Sequence, residues 1–280
     1  MNPRPMRPLL APILAALAVP AFAQDTPPPD PAATLNLTVE NDLFGGTDKY
    51  YTSGFQLSWR SASANPPYWL AWLSEVATPF FPPGGTPRWG LALGQNIFTP
   101  SDTQARIPDP ADRPYAGWLY GAFTLTSYTE RALGTFEVQL GVVGPAALGE
   151  QVQNNVHDLI NVDRALGWRS QLKDEPGINL ILTRQWRFNQ PLDAADPRGL
   201  ALGLVPSLTG SLGNVQTYAS AGLMLRVGSN LQSDFGPPRI RPSLAGSAFF
   251  QPDGQWGWYV FAGVEGRAVA RDIFLDGNTW

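Results

Sequence analysis

The chain has 280 residues, with 19 Lys and Arg against 23 Asp and Glu, a formal net charge of −4, and no cysteine. An acidic balance argues against a nucleic-acid partner, which requires a basic face. The absence of cysteine excludes disulfides, so the fold must depend on packing and on hydrogen-bonded ladders.

The N-terminus has the features of a secretory signal peptide over residues 1–23. A basic start, an apolar stretch at 9–19 and the small-x-small sequence Ala21-Phe22-Ala23 follow one another. The apolar stretch is too short to span a bilayer as a helix. We therefore expect an exported protein, with a Pro-rich, unstructured lead-in at 24–33 after the cleavage site.

The rest of the chain, 34–280, is predicted to be one all-β domain. It has no apolar run long enough for a transmembrane helix, yet it is rich in aromatic residues, with 10 Trp, 8 Tyr and 14 Phe in the full chain. This combination favours a transmembrane antiparallel β-barrel of the outer membrane. A soluble β-sandwich would also alternate, but it would place Tyr and Trp less often at strand ends.

Alternation of apolar with polar or small residues predicts about ten strands. It is clearest at 35–40, 51–60, 135–142 and 256–265, and less regular at 87–97, 116–127, 177–188, 199–210, 217–228 and 242–250. If the N-terminus is periplasmic, the connections at 43–50, 98–115 and 144–176 are external. The last one contains a predicted helix, because Val152, Val156 and Ile160 recur at helical spacing while His157 lies on another face.

Two segments depart from the regular pattern. The connection at 61–86 is internal by this count yet long and rich in Pro and Trp, and we interpret it as an interfacial helix around Tyr68 to Val76. The last residues, 271–280, read as a turn rather than a closing strand. A barrel in lipid must close, so the chain is expected to be a truncated form of something longer.

Residues suited to chemistry converge at the predicted outer rim. Asn41 and Asp42 end the first strand, Thr52 begins the second, and His157, the only histidine, lies on the external helix. Carboxylate, amide and hydroxyl oxygens suit Ca²⁺, and a neutral imidazole suits proton removal from water. Together they form the inventory for calcium-assisted ester hydrolysis.

Each of these residues also has a simpler interpretation. An Asn-Asp pair at a strand end is most often a turn device. A histidine in a loop is usually solvated, and a threonine on a strand is ordinary. No single residue decides the matter.

Several motifs together resemble the outer-membrane lipid A 3′-O-deacylase family. They are Val39-Glu40-Asn41-Asp42, 48–54 (DKYYTSG), 95–101 (QNIFTPS), 112–117 (DRPYAG), 141–145 (GVVGP), 151–157 (QVQNNVH), Gly167-Trp168, Gln171-Leu172 and 174–177 (DEPG). The resemblance covers about residues 35–280, and the combined set is specific.

The resemblance implies a twelve-stranded barrel with a calcium-dependent site at the outer-leaflet rim. In this sequence Asp42 would be the calcium ligand, Asn41 would support the metal or the oxyanion, Thr52 would supply a hydroxyl and His157 would be the general base. Asp163 stands where the family has a Glu six residues after the base, which shortens the reach of the acid that would orient the ring. Basic residues for the lipid A phosphates cannot be transferred, and Lys49, Arg106 and Arg113 are only rim candidates.

The expected function is therefore an ester hydrolase that removes the 3′-O-linked acyl or acyloxyacyl chain of lipid A. Lipopolysaccharide of the outer leaflet is the expected partner, Ca²⁺ the cofactor and the outer membrane the location. A phospholipase-like acyl hydrolase sharing the site is an alternative. A non-catalytic barrel, structural or pore-forming, with a degenerate site is another, although the predicted lumen faces are mostly Gly, Ser, Thr and Gln rather than the charged rings of a wide pore.

Overall fold

The computed structural model describes residues 28–41, 50–78, 80–237, 240, 249–251 and 254–280. The predicted signal peptide and the first four residues of the lead-in lie outside them. The strands in this part of the chain are β1 (Thr34–Asn41), β2 (Tyr50–Arg60), β3 (Thr86–Thr99), β4 (Ala116–Tyr128), β5 (Ala132–Val143), β6 (Glu175–Trp186), β7 (Phe188–Pro191), β8 (Leu200–Gly213), β9 (Gln216–Ser229) and β10 (Trp258–Asp272). The helices are α1 (Tyr68–Val76), α2 (Gly149–Ile160) and α3 (Ile273–Asp276).

The strands form one antiparallel sheet in chain order, with β7 continuing β6 beside β8. Apart from β6 and β7, which both pair with β8, each strand is hydrogen-bonded to its neighbours in the chain, as in an up-and-down barrel. The sheet curls around its inner face: the Gln56 amide nitrogen of β2 donates to the Tyr120 hydroxyl of β4 at 3.0 Å, across Gly94 of β3. Within the described residues β1 and β10 form its two edges.

The polarity of the two faces of the sheet is the reverse of that in a soluble protein: apolar side chains are on the exposed outer face and polar side chains on the inner face. On β1, Leu35, Leu37 and Val39 are exposed, whereas Thr38 on the other face is buried. The same holds for β6, where Leu180 is exposed while inward-facing side chains are buried. Apolar side chains facing outward and polar ones inward are the pattern of a barrel in lipid. None of the helices in the described residues has the length and apolar character needed to cross a bilayer.

Most predicted strands are confirmed within a few residues, with two differences. The predicted strand 177–188 is divided at Arg187 into β6 and β7, which keep one register against β8, and the buried Arg187 guanidinium donates to the carbonyls of Glu130, Gln232 and Asp234. The predicted strand 242–250 lies largely outside the described residues, and of its end only Phe250 forms an isolated bridge. The strand predicted at 256–265 is observed as β10 and extends further.

The two ends of the barrel differ. We call one the α2 end, because it holds α2, α3 and the connection at 100–115, and the other the α1 end. The predicted interfacial helix is observed as α1 with the predicted bounds. It packs on the outward face of the sheet, where Leu70 joins Phe81 and Leu125 in a cluster and the Ser74 hydroxyl donates to that of Ser127 at 2.8 Å.

The described residues of the connection that follows β9 include three that lie against the inner wall of the barrel. Phe235 and Phe249 pack against Tyr128 on the inner wall, and the backbone N–H of Ile240 donates to the Glu40 carboxylate at 3.0 Å. At the α1 end, Asp30 of the lead-in is buried and pairs with Arg88 at 3.5 Å, although residues 28–33 form neither helix nor strand.

Candidate active site

Helix α2 presents its polar side to the barrel and its apolar side outward. Gly149, Gln153 and His157, each four residues after the last, are its buried positions. Val152 and Val156 are exposed. This inversion suits a helix at a membrane surface, where the outward side meets hydrocarbon.

Close packing at its first turn holds α2 against the barrel. A Cβ on Gly149 would lie 2.7 Å from the Trp168 ring, and one on Gly117 of β4 would lie 3.2 Å from the Gly149 nitrogen. The buried Trp168 indole donates to the Gln153 side-chain oxygen at 2.9 Å. Helix and wall can approach this closely only because both contact residues are glycines.

The chain reverses direction at the end of α2, and the residues after the helix contact His157. Asn161 adopts the left-handed conformation at φ 58° and donates its N–H to the His157 carbonyl; Val162 donates to the same oxygen at 2.9 Å. Asparagine tolerates this conformation better than most residues. Asn161 was not predicted, although an Asn directly after a helical pattern is a recognisable C-terminal signal.

The returning segment orients the histidine ring. His157 Nδ1 lies 2.7 Å from the main-chain oxygen of Asp163. Because a carbonyl oxygen only accepts, Nδ1 carries the proton and Nε2 carries the lone pair of the neutral ring. Asp163 therefore contacts the ring, but through its main-chain oxygen, which accepts the hydrogen bond from Nδ1. Its side-chain carboxylate, which the resemblance implied as the orienting group, is exposed.

Two further interactions hold this segment in place. The Asn154 side chain accepts the N–H of Ala165 at 3.0 Å, and Arg164 forms an exposed ion pair with Asp158. The hydrogen bond from Arg164 holds the pKa of the Asp158 carboxyl below its ordinary value. The contact with Asn154 anchors the loop to the helix that carries His157.

Three of the predicted site residues line one cavity of about 380 Å³: Asn41, Thr52 and His157. Asp42 lies outside the described residues, and Asp163 is not among the lining residues. Gln95, which was not predicted, also lines the cavity and donates to the carbonyl of Ala147 at 2.6 Å.

A bulge determines the position of Thr52. The pairing of β2 with β3 shifts between Tyr51 and Ser53, which leaves Thr52 as the extra residue. Bulges re-aim side chains at the rims of barrels. The Thr52 hydroxyl is buried and lies 2.7 Å from that of Thr99, so Thr99 can donate to it and turn the Thr52 proton toward the cavity.

Oxygen donors dominate the polar part of the cavity. The Asn41 amide and the hydroxyls of Thr52 and Ser53 belong to its lining. These are ligand types that Ca²⁺ takes, whereas zinc prefers thiolate and several imidazoles. The described residues contain no group of three or more His, Cys, Asp or Glu side chains that could hold a metal. The donor types fit calcium, and the predicted carboxylate directly follows Asn41 in the sequence.

Of the predicted rim cations, the two described ones, Arg106 and Arg113, do not line this cavity. Arg106 is exposed in the connection at 100–115, and the Arg113 guanidinium lies 5.5 Å from the centre of the Phe98 ring. Lys49 lies outside the described residues.

A curled antiparallel sheet with an apolar outer face and a polar inner face defines a membrane β-barrel protein, here with a polar site at one rim. The chain belongs to the family described as outer membrane protein LpxR, whose model matches residues 9–280. Among solved structures it is similar to LpxR from Salmonella typhimurium, with a TM-score of 0.66 and 20% identity over 88% of this chain and 80% of that one. A comparison with curated proteins finds no match.

These findings confirm the predicted family and the predicted barrel fold. The protein is an outer-membrane protein, and its family supports a lipid A deacylase function.

Proposed function

We propose that this protein is a calcium-dependent ester hydrolase that removes the 3′-O-linked acyl or acyloxyacyl chain of lipid A. The observation that carries the proposal is the His157 ring, held by the Asp163 carbonyl with its lone pair on Nε2, in the wall of the rim cavity. A neutral imidazole fixed in one tautomer is what a general base requires. Family membership supports the substrate class.

The lining of the cavity suits a substrate with hydrocarbon chains. Beside its polar residues it contains Phe55 of the sheet and Val152, Val156, Ile160 and Val162 of α2 and the loop after it. Phe55, Val152 and Val156 are also exposed on the outer surface. An acyl chain of a lipid in the outer leaflet can lie against these side chains without leaving hydrocarbon.

In the proposed reaction, His157 Nε2 takes a proton from water while the water oxygen bonds to the ester carbonyl carbon. The tetrahedral intermediate then collapses and breaks the bond to the sugar 3-oxygen. That oxygen receives the proton from the imidazolium, so the products are a free 3′-hydroxyl and a fatty acid, which releases its remaining proton to solvent and becomes a carboxylate. The Asp163 carbonyl keeps the proton on Nδ1 throughout.

Two groups of the chain would stabilise the oxyanion. The Asn41 amide and the Thr52 hydroxyl both line the cavity, and donors of this kind act on the charge that develops at the carbonyl oxygen. Asp42 and Asn41 would hold Ca²⁺, which when bound would polarise the ester carbonyl.

Mass spectrometry of lipid A from cells that express the wild-type chain or His157→Ala tests the proposal. We expect loss of the 3′-linked acyl mass with the wild type, no loss with the variant, and no loss with the wild type in chelator. Heat-modifiable mobility in gels shows whether each barrel is folded. Release from phospholipid rather than lipid A would favour the phospholipase alternative, and a folded barrel that changes no lipid would favour a non-catalytic one.

A further inference from the structure

An arginine lies on the lipid-facing side of the barrel wall, near the α1 end. In the register of the sheet Arg184 of β6 pairs with Gly134 of β5 and Leu208 of β8. Side chains two residues along the same strand share a face, and Leu182, two residues before it, is exposed on the outer surface. Arg184 therefore points to the side of the sheet that faces lipid.

The guanidinium of Arg184 is enclosed without a partner for its charge. The residue is only 6% exposed, and neither Nε nor Nη1 has a hydrogen-bond acceptor. In the described residues its charge contacts the face of the Trp186 ring, with the guanidinium carbon 5.6 Å from the ring centre. A buried cation without a hydrogen-bonded anion is costly, so an anionic group that reaches this guanidinium would be stabilised there.

Aromatic side chains are frequent on the outer wall at the α1 end of the barrel, where Arg184 lies. A Cβ on Gly134 would meet the Phe80 carbonyl and the Phe81 ring, each at 2.8 Å, so the segment after α1 covers the wall beside Arg184. On the outward side of α1, Trp69 and Trp72 are exposed. Exposed tryptophans on a lipid-facing surface concentrate at the level of the headgroups.

We propose that Arg184 binds the phosphate of a phospholipid in the leaflet at the α1 end. The leaflet assignment rests on the proposed function, which puts the α2 end among lipid A molecules and the α1 end among the phospholipids of the opposite leaflet. Arginine pairs with phosphate through charge-assisted hydrogen bonds. The third guanidinium nitrogen, Nη2, is not among the enclosed atoms without a partner, and it offers the first contact for a headgroup, while the acyl chains lie along the apolar outer face.

The test is native mass spectrometry of the purified full chain in mild detergent. The probes are phosphatidylglycerol, diacylglycerol with the same chains and no phosphate, and inorganic phosphate. We expect the wild type to retain phosphatidylglycerol about tenfold more tightly than diacylglycerol, a ratio that corresponds to one charge-assisted hydrogen-bonded pair. This comparison needs no variant, so a folding defect cannot obscure it.

Variants then assign the effect to the residue. Arg184→Gln should remove the preference, and Arg184→Lys should keep part of it. Arg131→Gln is the matched control, because Arg131 is an exposed arginine at the same end of the barrel, and it should bind as the wild type does. Three outcomes would overturn the proposal. The wild type could retain both lipids equally, Arg184→Gln could keep the preference for phosphatidylglycerol, or inorganic phosphate could bind as tightly as the phospholipid.

The deacylase readout keeps this proposal separate from the previous one. Arg184→Gln should release the lipid A acyl chain as the wild type does, since Arg184 does not line the rim cavity. His157→Ala should retain phosphatidylglycerol normally. Failure of the lipid-binding proposal is therefore distinguishable from failure of the deacylase proposal.

Discussion

Replacing Asp163 with alanine should leave the proposed ester hydrolysis almost unchanged, although this residue contacts the His157 ring. The 2.7 Å hydrogen bond from the ring is accepted by the main-chain oxygen of Asp163, which alanine also provides. Its carboxylate is exposed, and an exposed charge acts on a neighbouring imidazolium with about 1 kcal/mol or less, or about fivefold in rate. If the carboxylate oriented the ring instead, the loss would approach the ~10⁴-fold seen when a triad carboxylate is removed.

The assay is the initial rate of 3′-acyl release from lipid A by purified protein in micelles. Asp163→Ala and Asp163→Asn should both remain within about fivefold of the wild type. His157→Ala should lose the ~10² to 10⁴-fold that general base catalysis contributes. A fall of a thousandfold in Asp163→Ala, with the barrel folded by gel mobility, would refute the argument from the main-chain contact.

Three further predictions concern the surroundings of the site. Asn161→Val should strain the left-handed turn by about 1–2 kcal/mol and lower the rate by displacing the carbonyl that holds the base, whereas Asn161→Gly should keep the rate; equal rates would contradict this. Gly149→Ala should push α2 off Trp168 and lower barrel stability by about 1–3 kcal/mol in thermal melts; an unchanged melt would show that the contact yields freely. The Ser101 hydroxyl holds the pKa of Asp112 below its ordinary value of 3.8, so the protection this bond gives the loop should be complete above that value and vanish as pH falls through the lower folded pKa. Hydrogen exchange checks this, and loss of protection well above 3.8 would contradict it.

Alternation along the chain was sufficient to predict most of the sheet, because barrel strands have a side-chain period of two and opposite environments on their two faces. The α1 helix could be predicted because the connection that contains it is long and rich in Pro and Trp. The contacts of Arg187 could not be predicted, since its guanidinium donates to carbonyl groups of two connections that are distant in sequence.

The site was predictable in its composition but not in its contacts. Parity along the strands brought Asn41, Thr52 and His157 to one rim, and the structure places all three in the lining of one cavity. The orientation of the His157 ring depends on the main-chain oxygen of Asp163. Reasoning from side-chain types could only assign this contact to the Asp163 carboxylate. The role of Asn161 depends on a backbone conformation rather than on its chemistry.

The order of the sheet also bears on how the protein folds. Its ladders join strands that follow each other in the chain, except that β6 pairs with β8 across the short β7, so each hairpin can form with a small loss of loop entropy. The contacts of the connection that follows β9 are different: Ile240 contacts Glu40, 200 residues away in sequence, and Gln251 contacts Pro28, 223 residues away. Contacts of such high sequence separation slow folding. The hairpins should therefore form first. The docking of the connection that follows β9 onto the N-terminal part of the chain should be the late, slow step of folding.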